Sequence, residues 1–319
     1  MPSKHVTLGI IIVAGVVIFM VGRYLRRPRQ RLSAAGWLGL AVIVAAEVLL
    51  TLQAKWVTIY FTPLAWSGYI LLADSMVASL EGTSRLRESP RGFLALVICS
   101  VPLWLIFEAV NLRLKNWAYV GLPASALARD AGYAWAFATI WPAIYETAGL
   151  VKALRLTGRR SNPHAPISLR TLAAISLAGL VCISLPVMLP ARIGSYLFGM
   201  VWIGFALLLD PLNYHWGGRS VLREWENGST DTLKSFLLSG VVCGFLWEFW
   251  NYWAHARWVY IFPIFQHWKI FEMPAPGFLG FPPFAVECMA MFEFLRTATG
   301  RIQGAFRQPA RLAAVQREQ

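Results

Sequence analysis

The chain reads as a series of apolar runs of bilayer length separated by short polar joints. The runs extend from about Thr7 to Val21, Trp37 to Ala54, Pro63 to Leu80, Gly92 to Leu112, Tyr133 to Leu150, Leu172 to Leu189, Tyr196 to Leu212, Leu233 to Trp253 and Phe278 to Leu295. Each is long enough for a membrane-crossing helix. In lipid every backbone polar group must be satisfied within the protein, which favours helices over open strands. The pattern predicts an all-α polytopic integral membrane protein with about nine transmembrane helices. Composition agrees: of 319 residues, 57% are hydrophobic and 14% charged, and the mean hydropathy is +0.53. The joints are too short to fold as a soluble catalytic domain.

Charge adds an orientation. Lys and Arg number 29 against 16 Asp and Glu, a formal net charge of +13. In a soluble protein that excess would suggest nucleic-acid binding; here the basic residues cluster between apolar runs, so they are topology signals and no nucleic-acid partner is expected. The first run has no small-residue cleavage site and is followed by Arg23, Arg26, Arg27, Arg29 and Arg31. It is expected to remain as a helix with the amino terminus outside. Alternate joints then place Arg85, Arg87 and Arg91, the 152–170 stretch, Arg219, Arg223 and Lys234, and the tail after Arg296 in the cytoplasm. The expected setting is a bacterial-type inner (plasma) membrane, with anionic headgroups meeting the basic cytoplasmic side. Membrane lipids are the expected partners, and partner subunits within the membrane remain open.

An internal repeat organises the chain after the first helix. A shift of 136 matches Trp66 with Trp202, Gly68 with Gly204, Asp74 with Asp210, Ser84 with Ser220 and Leu86-Arg87 with Leu222-Arg223. A shift of 140 or 141 matches Glu108 with Glu248, Asn111 with Asn251, Trp117 with Trp258, Tyr119 with Tyr260, Pro142 with Pro283 and Glu146 with Glu287. Each unit holds four helices, an even number, so both copies are expected to be parallel and related by a pseudo-twofold axis along the membrane normal. The expected organisation is an amino-terminal helix with a basic segment (1–31), a first four-helix repeat (32–160), a second (161–300) and a basic tail (301–319).

What both copies retain is internal evidence of constraint. Glu-x-x-Asn places Glu108 over Asn111, and Glu248 over Asn251, on one helical face, and Trp-x-Tyr follows in each copy. A carboxylate at membrane depth costs about 2.5–3.5 kcal/mol even on lenient scales, so it should face the protein interior. Glu146 and Glu287 form a second pair, each behind a proline that opens its helix. These six residues, Glu248, Glu287, Asn251, Glu108, Asn111 and Glu146, are the candidates for acid/base chemistry. The Gly/Pro-broken approach from Glu272 to Glu287 is expected to dip into the membrane, bring Glu287 towards Glu248, and form one wall of a cavity against Glu248, Asn251 and Trp258. Trp247, Trp258, Tyr260, Phe281 and Phe284, with Trp117 and Tyr119 from the first copy, are the candidate substrate-binding residues. Aromatic faces beside carboxyls suit a cation or a developing positive charge, whereas interfacial anchoring and helix pinning are the structural alternatives.

Other chemistry finds little support. The four cysteines, Cys99, Cys182, Cys243 and Cys288, fall inside apolar runs. Glu248, Asn251 and His255 share a face, but Lys115 takes the place of His255 in the first copy and would repel a metal, so no metal site is expected. No phosphate-binding loop or serine-nucleophile motif occurs. Asp74 and Asp210 fit caps at the cytoplasmic helix ends. The function expected from this set is an intramembrane enzyme acting on a lipid or isoprenoid. A proton- or cation-coupled transporter with two parallel repeats, and a noncatalytic subunit of a larger complex, are the alternatives.

Overall fold

The computed structural model describes residues 4–158 and 161–317, with side chains as far as Arg301. The helices are α1 (Lys4–Leu25), α2 (Ala34–Thr51), α3 (Lys55–Glu81), α4 (Arg85–Glu88), α5 (Pro90–Leu114), α6 (Ala126–Ala138), α7 (Ile140–Ala153), α8 (Leu169–Met188), α9 (Ala191–Gly194), α10 (Phe198–His215), α11 (Val221–Glu226), α12 (Asp231–Trp253) and α13 (Phe281–Arg317). Four short strands accompany them: β1 (Trp117–Val120), β2 (Arg257–Tyr260), β3 (Lys269–Ile270) and β4 (Met273–Pro274). Among the described residues, eight helical segments are long and apolar enough to cross a membrane. That fits an all-α, multi-pass membrane protein.

The remaining expected run, Tyr133 to Leu150, is broken at Thr139 into α6 and α7. Ser100 on α5 holds the break, donating from its hydroxyl to the Phe137 carbonyl and accepting from the Trp141 amide at 3.2 Å. Pro142 sits in the first turn of α7, where a missing N–H costs no helical bond. At the other end of the chain, residues 301–317, expected as a tail, continue α13.

Polarity is arranged for lipid. Ile18, Val48, Leu112 and Met188 are exposed, each on a helix of high hydropathy. Glu248, Asn251, Glu287, Ser100, Ser235 and Ser239 are all 0% exposed. With apolar tails outside, helix association rests on close packing and internal hydrogen bonds. Two helical hairpins use glycine for this. A Cβ on Gly68 of α3 would lie 2.7 Å from the Gly39 carbonyl of α2, and one on Gly179 of α8 would lie 2.7 Å from the Gly204 carbonyl of α10.

The joints after α3 and α10 are built alike. Asp74 accepts from the Ser84 hydroxyl at 2.9 Å and the Leu86 amide at 3.1 Å. Asp210 accepts from the Ser220 hydroxyl at 2.8 Å and from the Val221 and Leu222 amides at 2.8 and 3.0 Å. Both aspartates thus secure the starts of the short helices α4 and α11, satisfying amides that would otherwise lack a partner. In the centre, α12 packs against α7 and α13 and also touches α1 and α3. Helix α5, which carries the other Glu-x-x-Asn, lies more loosely against α7 and α13, and aromatic side chains occupy the space beside it.

Candidate functional site: a paired ribbon over an aromatic cavity

The segments after α5 and α12 leave their helices and pair as an antiparallel ribbon, β1 with β2, in the register Trp117↔Tyr260, Ala118↔Val259, Tyr119↔Trp258 and Val120↔Arg257. Each strand is clamped by the asparagine of its own Glu-x-x-Asn. Asn111 donates to the Trp117 carbonyl at 2.9 Å and accepts from the Asn116 and Trp117 amides at 2.8 and 3.1 Å. Asn251 donates to the Trp258 carbonyl and accepts from the Trp258 amide, both at 2.9 Å. Gly121, at φ 68°, closes β1 directly against the His255 carbonyl, where no side chain would fit. The His255 amide in turn donates to the Thr58 carbonyl of α3 at 2.8 Å.

The clamps aim each Trp-x-Tyr at the glutamate of its own helix. Glu108 Oε1 accepts from Trp104 Nε1 at 2.8 Å, Trp117 Nε1 at 3.2 Å and the Tyr119 hydroxyl at 2.5 Å. Glu248 Oε1 accepts from the Tyr260 hydroxyl at 2.8 Å and Trp258 Nε1 at 3.3 Å, and its Oε2 is buried without a partner. Glu108 is partly exposed whereas Glu248 is fully enclosed. Burial and then the facing glutamate push the Tyr119 and Tyr260 hydroxyls well above the usual phenol range, so both remain proton carriers at neutral pH.

Beneath the ribbon lies a cavity of about 430 Å³ between the two halves of the chain. All seven aromatic candidates, Trp117, Tyr119, Trp247, Trp258, Tyr260, Phe281 and Phe284, are on its wall. Phe284, at the amino end of α13, is the hub: its ring lies 5.0–6.2 Å from those of Trp104, Phe107, Trp141, Trp202 and Trp247. The segment before it forms the β3–β4 turn and a 3₁₀ turn (Ala275–Gly280), and contributes Met273, Pro274, Pro276 and Gly277 to the wall. Phe281 wedges against Gly240 and Gly244 of α12.

The glutamates do not converge. None of Glu108, Glu146, Glu248 and Glu287 lines the cavity; Tyr119, Tyr260 and the indoles stand between it and the two ribbon-side acids. Glu287 turns to α10 and accepts from the Phe205 amide at 2.8 Å, and no hydrogen bond joins it to Glu248. Its hydrogen bond thus runs to α10 and not to Glu248, because one helical turn beyond the proline its side chain faces α10. Glu146 lies beside Arg85 at 3.3 Å.

Several site residues escaped the sequence. Trp104 reaches Glu108 from one turn earlier on α5, and the i,i+4 spacing was its available signal. Tyr60, Thr62, Trp66, Tyr133, Phe137 and Trp202 also line the cavity; of these, only Trp66 and Trp202 stood out, as matched positions. Compared with protein-family profiles, with curated proteins and with solved structures, the chain matches none of them.

Proposed function

We propose that the protein is an intramembrane enzyme that holds an apolar lipid of isoprenoid character in the aromatic cavity and moves a proton to or from it through Tyr260, with Glu248 behind. The observation that carries this reading is the cavity wall itself, made of rings, with a tyrosine–glutamate pair backing it in each half. For Tyr260 to protonate the ligand, its hydroxyl, which donates to Glu248 Oε1 at 2.8 Å, turns to the ligand and accepts the replacing proton from Glu248 in its acid form; Glu248 is left as a carboxylate and takes a proton back when the cation loses one to give product. Facing π surfaces stabilise positive charge developing on an otherwise apolar substrate. In this reading Glu108 with Tyr119 is the complementary pair, Asn111 and Asn251 position the two tyrosines, and Glu146 and Glu287 hold helices outside the cavity. A proton- or cation-coupled transporter would need acidic groups along its path, and the wall carries no Asp or Glu.

The same reading takes the chain as a duplicated unit. With a shift of 141, the partner pairs Trp117↔Tyr260 and Tyr119↔Trp258 exchange into each other and Ala118 faces its own counterpart Val259, the register a local twofold axis requires. The matched aspartate joints and glycine crossings support it. We place nine crossings in an inner membrane, α6 and α7 making one between them, with the ribbon outside and the basic joints and carboxyl terminus in the cytoplasm among anionic lipids.

The test is extraction of the protein purified in mild detergent, followed by mass spectrometry of the bound apolar lipids. Wild type is expected to carry a precursor and its product, and Glu248→Gln the precursor alone. Identical lipid ratios in both proteins, or no apolar lipid in either, would overturn the assignment.

A further inference from the structure

The cavity wall is not uniformly apolar, and some of its polar atoms lack partners. Thr62 and Trp66 are one turn apart on α3, so they share a face, and both line the cavity. Thr62 Oγ1 and Trp66 Nε1 are buried and have no hydrogen-bond partner. Helical threonine hydroxyls commonly return to a carbonyl three or four residues back, as those of Thr58, Thr147 and Thr299 do here. For Thr62 the carbonyl four residues back belongs to Thr58, which already accepts from the His255 amide. Helix α3 is also kinked there: Tyr60 is non-helical at φ −102° and ψ 20°, and Pro63 has no N–H for the Ile59 carbonyl. The buried indoles of Trp117, Trp141 and Trp250 all donate to an oxygen; that of Trp66 does not. Asn116, also on the wall and 2% exposed, has an unpartnered Oδ1.

With Arg257 Nε, also buried and without a hydrogen-bond partner, four polar atoms of wall residues each carry a desolvation penalty that a complementary ligand relieves. In the second half Trp202 matches Trp66, but Phe198 stands where Thr62 would be and Gly199 where Pro63 would be, so the hydroxyl of the patch has no equivalent there. The two arginines on the wall already have anionic neighbours, Arg129 with Asp130 at 3.6 Å and Arg257 with Glu272 at 3.7 Å. Glu272 is shared with Lys269 at 3.8 Å, so these groups are not neutral as a set, but Thr62 and Trp66 are uncharged and offer a ligand oxygen no cation, which a buried phosphate needs. We infer that the ligand is a neutral, oxygen-bearing lipid, an alcohol or a carbonyl compound and neither a bare hydrocarbon nor a lipid phosphate, with its oxygen on Thr62 and Trp66. This rests on the cavity being the lipid site proposed above, and it names the polarity of what enters.

Farnesol, farnesal, farnesene and farnesyl phosphate share one chain and differ at its head. Titrated into the protein in lipid nanodiscs and followed by tryptophan fluorescence, farnesol and farnesal are expected to bind about tenfold more tightly than farnesene, and farnesyl phosphate no better than farnesene. Thr62→Val, which keeps the side-chain shape, and Trp66→Phe should each bring farnesol down towards farnesene, with elution volume and thermal unfolding reporting the fold. Equal binding of farnesol and farnesene, tightest binding by the phosphate, or a preference that survives both substitutions would overturn the inference while leaving a lipid cavity in place. Failure of all four compounds to bind would remove the cavity as a lipid site, and this inference with it.

Discussion

Glu108 and Glu248 sit in the same signature and end in different surroundings, and one position accounts for much of the difference. Residue 104 of α5 corresponds to residue 244 of α12 under the shift of 140, and it is Trp in one and Gly in the other. Trp104 gives Glu108 a third donor on one oxygen, the arrangement that solvates a carboxylate. Gly244 gives nothing to Glu248 but leaves room for Phe281, which packs where a Cβ would stand and draws the start of α13 against α12. One half therefore keeps a well-solvated, partly exposed acid beside a loose helix. The other has an enclosed acid in the tightest part of the molecule. Matched motifs inherit geometry, whereas the neighbour one turn away decides what the geometry does.

That contrast breaks most visibly in catalysis. On the lipid chemistry proposed above, Glu248→Gln is expected to slow conversion by about 100-fold or more, the usual worth of a positioned acid or base. Glu108→Gln should cost no more than about tenfold. Product formation by mass spectrometry compares them, and equal losses would erase the distinction between the halves.

Stability should reverse the ranking. Asn111→Ala strands three backbone groups of its strand and Asn251→Ala two. The expected losses are about 3 and about 2 kcal/mol, read as denaturant midpoints, and a larger loss at Asn251 would contradict the clamp geometry. Trp104→Phe removes one donor of three and should cost about 1 kcal/mol, with no matching position to lose in the other half.

The smallest effect is on titration. Tyr119 and Tyr260 hold their protons above the ordinary phenol value of 10.0. The folded state therefore binds more protons than the unfolded state above that pH, and both tyrosines contribute stability that declines as the solution becomes more alkaline. Tyr119→Phe and Tyr260→Phe should each flatten the alkaline limb of the unfolding profile, and tyrosinate absorbance should show two late-titrating groups in the wild type.

Much of the helical framework was legible because lipid-length apolar runs admit few other structures. The break at Thr139 was not, since it depends on Ser100, thirty-nine positions earlier and on another helix. The ribbon was hidden for the same reason: Trp-x-Tyr is too short to announce a strand, and its partner lies 141 residues away. Within the site, the Glu-x-x-Asn faces and the ring-lined wall could be read from spacing and density of residue types. The direction of Glu287 could not, because whether it meets Glu248 or the Phe205 amide depends on how α13 and α10 rotate against each other. The polar patch on α3 was equally silent, being defined by partners that Thr62 and Trp66 lack.

The glycine crossings carry a consequence for how the chain is made. The α2–α3 and α8–α10 contacts bring backbone to backbone between helices that are near neighbours in sequence, α2 and α3 being separated by only three residues. Each crossing can therefore close while the ribosome is still producing the rest of the chain, before either ribbon strand has met its partner. Biogenesis would then proceed by two self-contained hairpins entering the bilayer, and the late event would be the meeting of β1 with β2, which becomes available only after the second hairpin and α12 are in place.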